Sequence, residues 1–332
     1  MTASDIWGSA NGSTNSMHVE ILGAESLGVR GLSCVVETKD RTIVIDPGLA
    51  LGYRRDGLLP HPVQVAMGER VRGRIISALE DATDVVMSHF HGDHVPLPDA
   101  NPFQLKAQPV APLCRTTRLW AKGTQGLSPS MTHRRSSLAE ALGTELHNAE
   151  AQGDGMLTFS PPVPHGRPGT HLGTVMMTRV QAADTVFVHA SDIQLLDSEA
   201  ISLILDWEPD IALVGGPPLY LSRLSAESRK RAWGHAQRLA RHVDTLILDH
   251  HLLRCEAGLV WLDHLSAVTS RRVLCAADFA GRPRCLLEAQ RAEWYARIPV
   301  PKGWHAAYAH GEADTLPYRE ALSQWLGPGS GK

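Results

Sequence analysis

The chain alternates short apolar runs of β type with longer stretches of helical spacing. Three runs open it, at 18–23, 33–38 and 41–48, and the third closes on Asp46-Pro47-Gly48, a turn sequence. A stretch punctuated by glycine and proline leads to a helical pattern over 63–80, which delivers the chain into a fourth apolar run at 84–87. Proline density over 96–112 excludes a long helix there, and helical spacing returns over 136–146. The region near 100–149 therefore reads as a cap-like insertion over the mouth of whatever site the chain builds. Strands are predicted at 156–160, 172–180, 185–188, 210–214 and 245–251, with helices at 195–205 and 222–243 between them. A helical stretch over 267–298 follows, and from 300 to 332 the chain thins into a tail of loops. Strand runs interleaved with helices imply an α/β fold, and 17–299 reads as one domain.

Composition changes this picture little. With 43% apolar residues the 332-residue chain can fill a core, and a formal net charge of -3 supplies no global field for nucleic acid or an anionic membrane. Five cysteines, without a C-x-x-C pair, point to reduced thiols and a cytoplasmic protein. Residues 1–16, rich in Ser, Thr, Asn and Gly, read as a disordered leader. No apolar run approaches the roughly 20 residues that span a bilayer, so no membrane partner is expected. A homo-oligomer is compatible with all of this.

The chemistry concentrates at 88–94, Ser-His-Phe-His-Gly-Asp-His. Three histidines and an aspartate crowd into six positions directly after a buried strand. Imidazoles packed this closely repel one another when protonated and lose hydration when buried, unless a cation compensates them. Neutral imidazole nitrogen and carboxylate oxygen suit zinc and its first-row neighbours, with manganese or iron also compatible. Further donors sit on rigid or strand-end segments. His165 follows Pro161-Pro162-Val163-Pro164, with His171 six residues later in reserve, and Asp192 lies just beyond the 185–188 strand. His250 and His251 end the 245–251 strand. Adjacent strand residues face opposite ways, so only one of that pair is expected to reach the site, and His251 is preferred. Arg30, set between glycines, is a candidate for binding an anionic substrate, and Gly215-Gly216 offer a bare backbone against which a substrate could lie.

The H-x-H-x-D-H spacing resembles the signature of the metallo-β-lactamase superfamily. The ordered runs E-S-L-G-V-R-G, I-D-P-G-L-A-L-G, S-H-F-H-G-D-H, P-V-P-H-G, A-S-D-I-Q, V-G-G-P-P and L-D-H-H-L-L-R look like a family of predicted metallo-hydrolases within it. The resemblance implies a four-layer αββα sandwich holding two divalent ions. His89 and His91 would serve the first, completed by His165. Asp93 and His94 would serve the second, completed by His251, and Asp192 would bridge the two. It also implies that Asp46 orients a ligand from beneath the metal loop; His189 reads as another buried residue beside the ligands. The expected reaction is attack by a metal-bridging hydroxide on an ester, lactone or phosphoester of a small molecule, with Asp93 or a nearby histidine moving the proton. A nuclease or phosphodiesterase acting on nucleic acid is the alternative, ahead of a di-iron redox protein or a non-catalytic metal binder.

Overall fold

The alternation of side chains along the first strands decides the order of the layers. In the computed structural model, which describes residues 16–326, β1 (His18–Gly23), β2 (Ser33–Glu37), β3 (Thr42–Ile45), β4 (Asp84–Met87) and β5 (Arg118–Ala121) form one sheet in that order. Ile21, Cys34, Val36, Ile43, Ile45 and Val86 face a core shared with a second sheet, while Val35, Val44, Val85 and Met87 face the opposite way. This period of two is the one that a sheet buried on both faces requires. The outer face is covered by α1 (Pro62–Glu80), α2 (Ala107–Cys114) and α3 (Pro129–Leu142), through Val71, Ile75, Val110 and Leu138.

The second sheet is built from β6 (Leu157–Phe159), β9 (Thr178–Ala182), β10 (Thr185–Ala190), β11 (Ile211–Val214) and β12 (Thr245–Leu248), in the order β12-β11-β10-β9-β6. A separate pair, β7 (Val163–Pro164) and β8 (Thr174–Val175), brackets His165 and its turn. Helices α4 (Ser198–Asp206), α5 (Ala226–His242) and α6 (Ala257–Thr269) close the far side through Ile201, Ile204, Ala232, Ala236, Leu239, Leu262 and Leu265. The result is the four-layer αββα sandwich. Strands β3, β4 and β5 run parallel, as do β10, β11 and β12. The loops leaving their C-terminal ends collect at one edge of the sandwich, where open α/β sheets bind ligands.

Two expectations about organisation are corrected. The region near 100–149 is no cap: β5 hydrogen-bonds to β4 within the first sheet, and Leu138, Leu142 and Met131 of α3 lie in its outer core. Helix α3 starts earlier than its apolar spacing suggested because Ser128 caps it, its Oγ accepting from Met131 N at 3.3 Å, with Pro129 at the first helical position. The chain beyond 299 is not a loop tail either. After α7 (Ala276–Phe279) and α8 (Arg291–Arg297) come α9 (Trp304–Ala309) and α10 (Leu316–Leu326), and Trp304, Tyr318, Leu322 and Leu326 are buried in the outer core. The expected leader lies outside the described residues except for Ser16. No helix among the described residues is long and apolar enough to cross a membrane.

Candidate metal centre

Asp192 stands at the centre of the loop-bearing edge, and each of its carboxylate oxygens faces a separate group of imidazoles. Around Oδ2 lie His165 Nε2 at 2.7 Å, His89 Nε2 at 3.1 Å and His91 Nδ1 at 3.5 Å. Around Oδ1 lie His250 Nε2 at 2.9 Å and His94 Nε2 at 3.0 Å, themselves 3.3 Å apart, with Asp93 3.8 Å from His250 and 4.0 Å from His94. Asp192 achieves this aim by leaving β10 in the left-handed region, at φ 57°. It is not a helix cap; that part belongs to Asp197, which accepts from Ala200 N. Nearly everything here is buried. The side chains of His91 and Asp93 keep 24% and 16% exposure, so the mouth of the site opens over them.

Partners behind the rings fix which nitrogen faces inward. His94 Nδ1 lies 2.9 Å from Asp46, which also accepts from Ser88 N, Ser88 Oγ and Ser191 Oγ at 2.7–2.8 Å. His89 Nδ1 is 2.9 Å from Ser88 Oγ, so it too is linked to Asp46. His250 Nδ1 lies 2.8 Å from Glu25, and the Gln194 amide lies 3.1 Å from His165 Nδ1. With the outer nitrogens engaged, four Nε2 atoms turn towards one carboxylate, the arrangement that carboxylate-backed histidine ligands use. Gly48 makes the approach of Asp46 possible, because a Cβ there would run into the backbone of His94 and Val95.

The electrostatics of the cluster call for a cation. Burial, and then the neighbouring His94, push the His89 imidazole down to about 3. Burial also lowers His165 and His251. Burial opposes charge on Asp192 and Asp93 as well, yet both carboxyls are held well below the usual range, Asp192 chiefly by His94 and His250 and Asp93 by His94 and Arg254. His94 and His250, which burial would lower, are instead raised, His94 by Asp192, Asp46 and Asp93 and His250 by Glu25 and Asp192. Both nitrogens of His251 are buried without hydrogen-bond partners among the described residues. Carboxyls held low, imidazoles lowered by burial at His89, His165 and His251, and orphaned ring nitrogens in one buried cluster fit bound divalent ions. The donor atoms of His89, His91, His165 and Asp192 lie within 4.8 Å of one another, as do those of Asp93, His94 and His250, of Asp192, His250 and His251, and of Asp46, His89 and His94.

The expected candidates fare differently. Both His250 and His251 reach Asp192, which corrects the strand-parity argument. Strand β12 ends at Leu248, and His250 takes φ 50°, so the pair leaves the sheet in a turn that brings both rings to the same side. His250 joins Asp93 and His94, and the preferred His251 forms a further close set with Asp192 and His250. His189 stands off: its Nε2 is 2.8 Å from the Leu32 carbonyl, and its Nδ1 is buried without a hydrogen-bond partner among the described residues. Arg30 is taken up by Glu288, its Nε at 2.6 Å and Nη2 at 2.5 Å from the two carboxylate oxygens. Gly215 and Gly216 give no open bed for substrate. A Cβ at Gly215 would press on Asp192 Cα at 3.0 Å, and one at Gly216 would meet Leu252 Cβ at 2.9 Å, so their smallness lets the loops touch. His171 is exposed. The basic residues near the expected cap are engaged in the fold: Arg115 donates to the Leu142 carbonyl, Arg118 to Asp84, Lys122 to Glu150, Arg134 to the Phe90 carbonyl and Arg135 to the Leu146 carbonyl.

Glu25 and Arg254 were not expected. Buried Arg254 donates to Glu25 at 2.9 Å and Asp93 at 3.2 Å, and its Nη2 lies 2.7 Å from Nε2 and 3.4 Å from Nδ1 of His250. Asp249 pins the same junction by accepting from Ser26 N, Ser26 Oγ, His250 N and Ala276 N. The run E-S-L-G-V-R-G drew attention to its arginine, whereas its glutamate and serine make the contacts that matter.

Comparison with known proteins places the chain among relatives. No family model matches it. A UPF0282 protein of Methanosarcina mazei is 48% identical over 302 residues, covering 91% of this chain and 99% of that one. The UPF0282 protein of Methanopyrus kandleri is 36% identical over 83% of this chain and 98% of its own. Among solved structures, an isothiocyanate hydrolase from Delia radicum gut bacteria overlaps 78% of this chain and 95% of its own, at TM-score 0.46 and 15% identity. The metallo-β-lactamase MIM-1 from Novosphingobium pentaromativorans overlaps 85% and 86%, at TM-score 0.29 and 15% identity. Sharing close to half its residues with the Methanosarcina protein across nearly the full length of both, the chain belongs to the UPF0282 family.

Proposed function

We propose that the protein is a metal-dependent hydrolase of small molecules, cleaving an ester, lactone or phosphoester bond. The observation that carries this reading is Asp192, whose two oxygens each serve a different imidazole group within one buried cluster. His89, His91, His165 and Asp192 would hold one divalent ion, and Asp93, His94, His250 and Asp192 a second, with zinc the best match to the donors and manganese or iron the alternatives. Bound there, the ions would polarise the substrate's scissile group and make water acidic enough to react near neutral pH. The chain's own residues do the rest. Asp46, Glu25 and Gln194 orient imidazoles, and the burial of all but the mouth keeps bulk water from the ligands. Asp93, at the mouth and gripped by Arg254, is placed to pass a proton to the leaving group.

A small substrate is favoured over nucleic acid because the formal net charge is -3 and the arginines and lysine over 115–135 each donate to acceptors of the fold itself. The free cysteines suit a reducing compartment, the cytoplasm. The test loads chelator-stripped protein with zinc, measures the ions bound per chain, and assays ester, lactone and phosphodiester panels beside His89→Ala. Two ions per chain and turnover abolished in the variant are expected. No zinc uptake, or turnover that persists in His89→Ala, refutes the reading.

A further inference from the structure

The two consecutive histidines after β12 are equipped for different tasks. His250 has the equipment of a ligand: Glu25 behind Nδ1 at 2.8 Å, and Nε2 facing Asp192 Oδ1 at 2.9 Å. His251 has none behind it. Its side chain is 5% exposed, and its ring lies against those of His165 and His250, with centroids 5.2 and 4.4 Å away. Neither ring nitrogen has a hydrogen-bond partner among the described residues, and Nε2 stands 3.5 Å from Asp192 Oδ2. It belongs neither to the close group of His89, His91, His165 and Asp192 nor to that of Asp93, His94 and His250, although its donor atom also lies within 4.8 Å of those of Asp192 and His250. A neutral imidazole carries one N–H donor and one lone pair, and leaving both buried and unpaired is costly. Leu252 N, the next residue along, donates to the Gly215 and Asp249 carbonyls and ties the turn to the neighbouring loop.

We propose that His251 is a substrate-contacting residue whose imidazole N–H donates a hydrogen bond to the reacting oxygen of a carbonyl or phosphoryl group held at the metal centre. Asp192 Oδ2 already faces three imidazoles, and His251 approaches it from beside His165, so the orphan donor borders the space where that group would sit. A fixed donor aimed at an oxygen that gains negative charge acts without reorganising during the reaction. The inference rests on the metal-hydrolase reading.

Inorganic phosphate is the probe for such an oxygen. Its affinity for the zinc-loaded full chain would be measured by calorimetry, with zinc content determined on the same samples, for the wild type, His251→Ala, His251→Gln and His250→Ala. His251→Ala should keep the wild-type zinc content and bind phosphate about tenfold more weakly, the loss of one hydrogen bond to a charged group. His251→Gln, which retains an N–H, should recover part of that loss, and His250→Ala should lose zinc. Zinc lost from His251→Ala would make it a ligand and overturn the proposal. So would unchanged phosphate affinity at full zinc content, or a zinc-loaded wild type that binds no phosphate. A wild type that takes up no zinc overturns the hydrolase reading and this inference together, which distinguishes the two failures.

Discussion

Asp46→Asn tests the idea that the metal centre depends on the carboxylate packed behind its imidazoles. Asparagine keeps the size of the side chain and tolerates the φ of 49° found at this position, so the backbone is spared. The carboxylate accepts four hydrogen bonds, from Ser88 N, Ser88 Oγ, Ser191 Oγ and His94 Nδ1. An amide has only one acceptor oxygen, so its NH2 must face either the Ser88 amide or the His94 ring. Serine hydroxyls can rotate to accept from it; a backbone N–H cannot, and His94 can do so only by moving its proton to Nε2, the nitrogen turned towards Asp192 and His250. One charge-assisted hydrogen bond is lost in either case, at about 1.5–3 kcal/mol. If the His94 proton moves, affinity for the second ion should fall about 10–100-fold, the usual effect of removing such a support. The assay is competition of stripped protein against a chromogenic chelator, with urea melts in excess chelator reporting the fold separately. A variant that melts earlier yet binds both ions as the wild type does would refute the argument, because Asp46 would then support the fold and not the ligand.

Two further expectations follow from residues away from the ligands. Burial would raise the Glu288 carboxyl, but Arg30, bonded to it in a fork, outweighs this and holds it down at about 2. A depressed carboxyl stabilises the fold fully above its ordinary value near 4.5, and that stability disappears as pH falls through about 2; the amount is about 3 kcal/mol. The gap in unfolding free energy between wild type and Glu288→Gln should therefore narrow steadily below pH 4.5, and parallel curves would show that the pairing contributes nothing. Leu322→Ala, in the last described helix, should cost about 2–4 kcal/mol in chemical denaturation, as expected for a leucine buried to 5% exposure. A negligible change would return the region beyond 299 to the loop tail that its sequence suggested.

What the sequence determined by itself was local. The apolar runs located the strands that carry the candidate site, and the crowding of His89, His91, Asp93 and His94 into six positions announced the loop that joins the buried cluster, because both signals are written in adjacent residues. His165 and Asp192 were legible for a related reason: each sits on a short segment whose ends are fixed, by prolines in one case and by a strand end in the other. The tertiary structure decided everything that depended on distant contacts. Glu25 backs His250 across 225 positions of chain, Glu288 takes up Arg30 across 258, and a left-handed turn at His250 swings two neighbouring rings to one side. A strand pattern has a fixed period and can be read in one dimension. The partner of a buried charge is whatever the folded layers bring beside it, and the spacing along the chain holds no record of that.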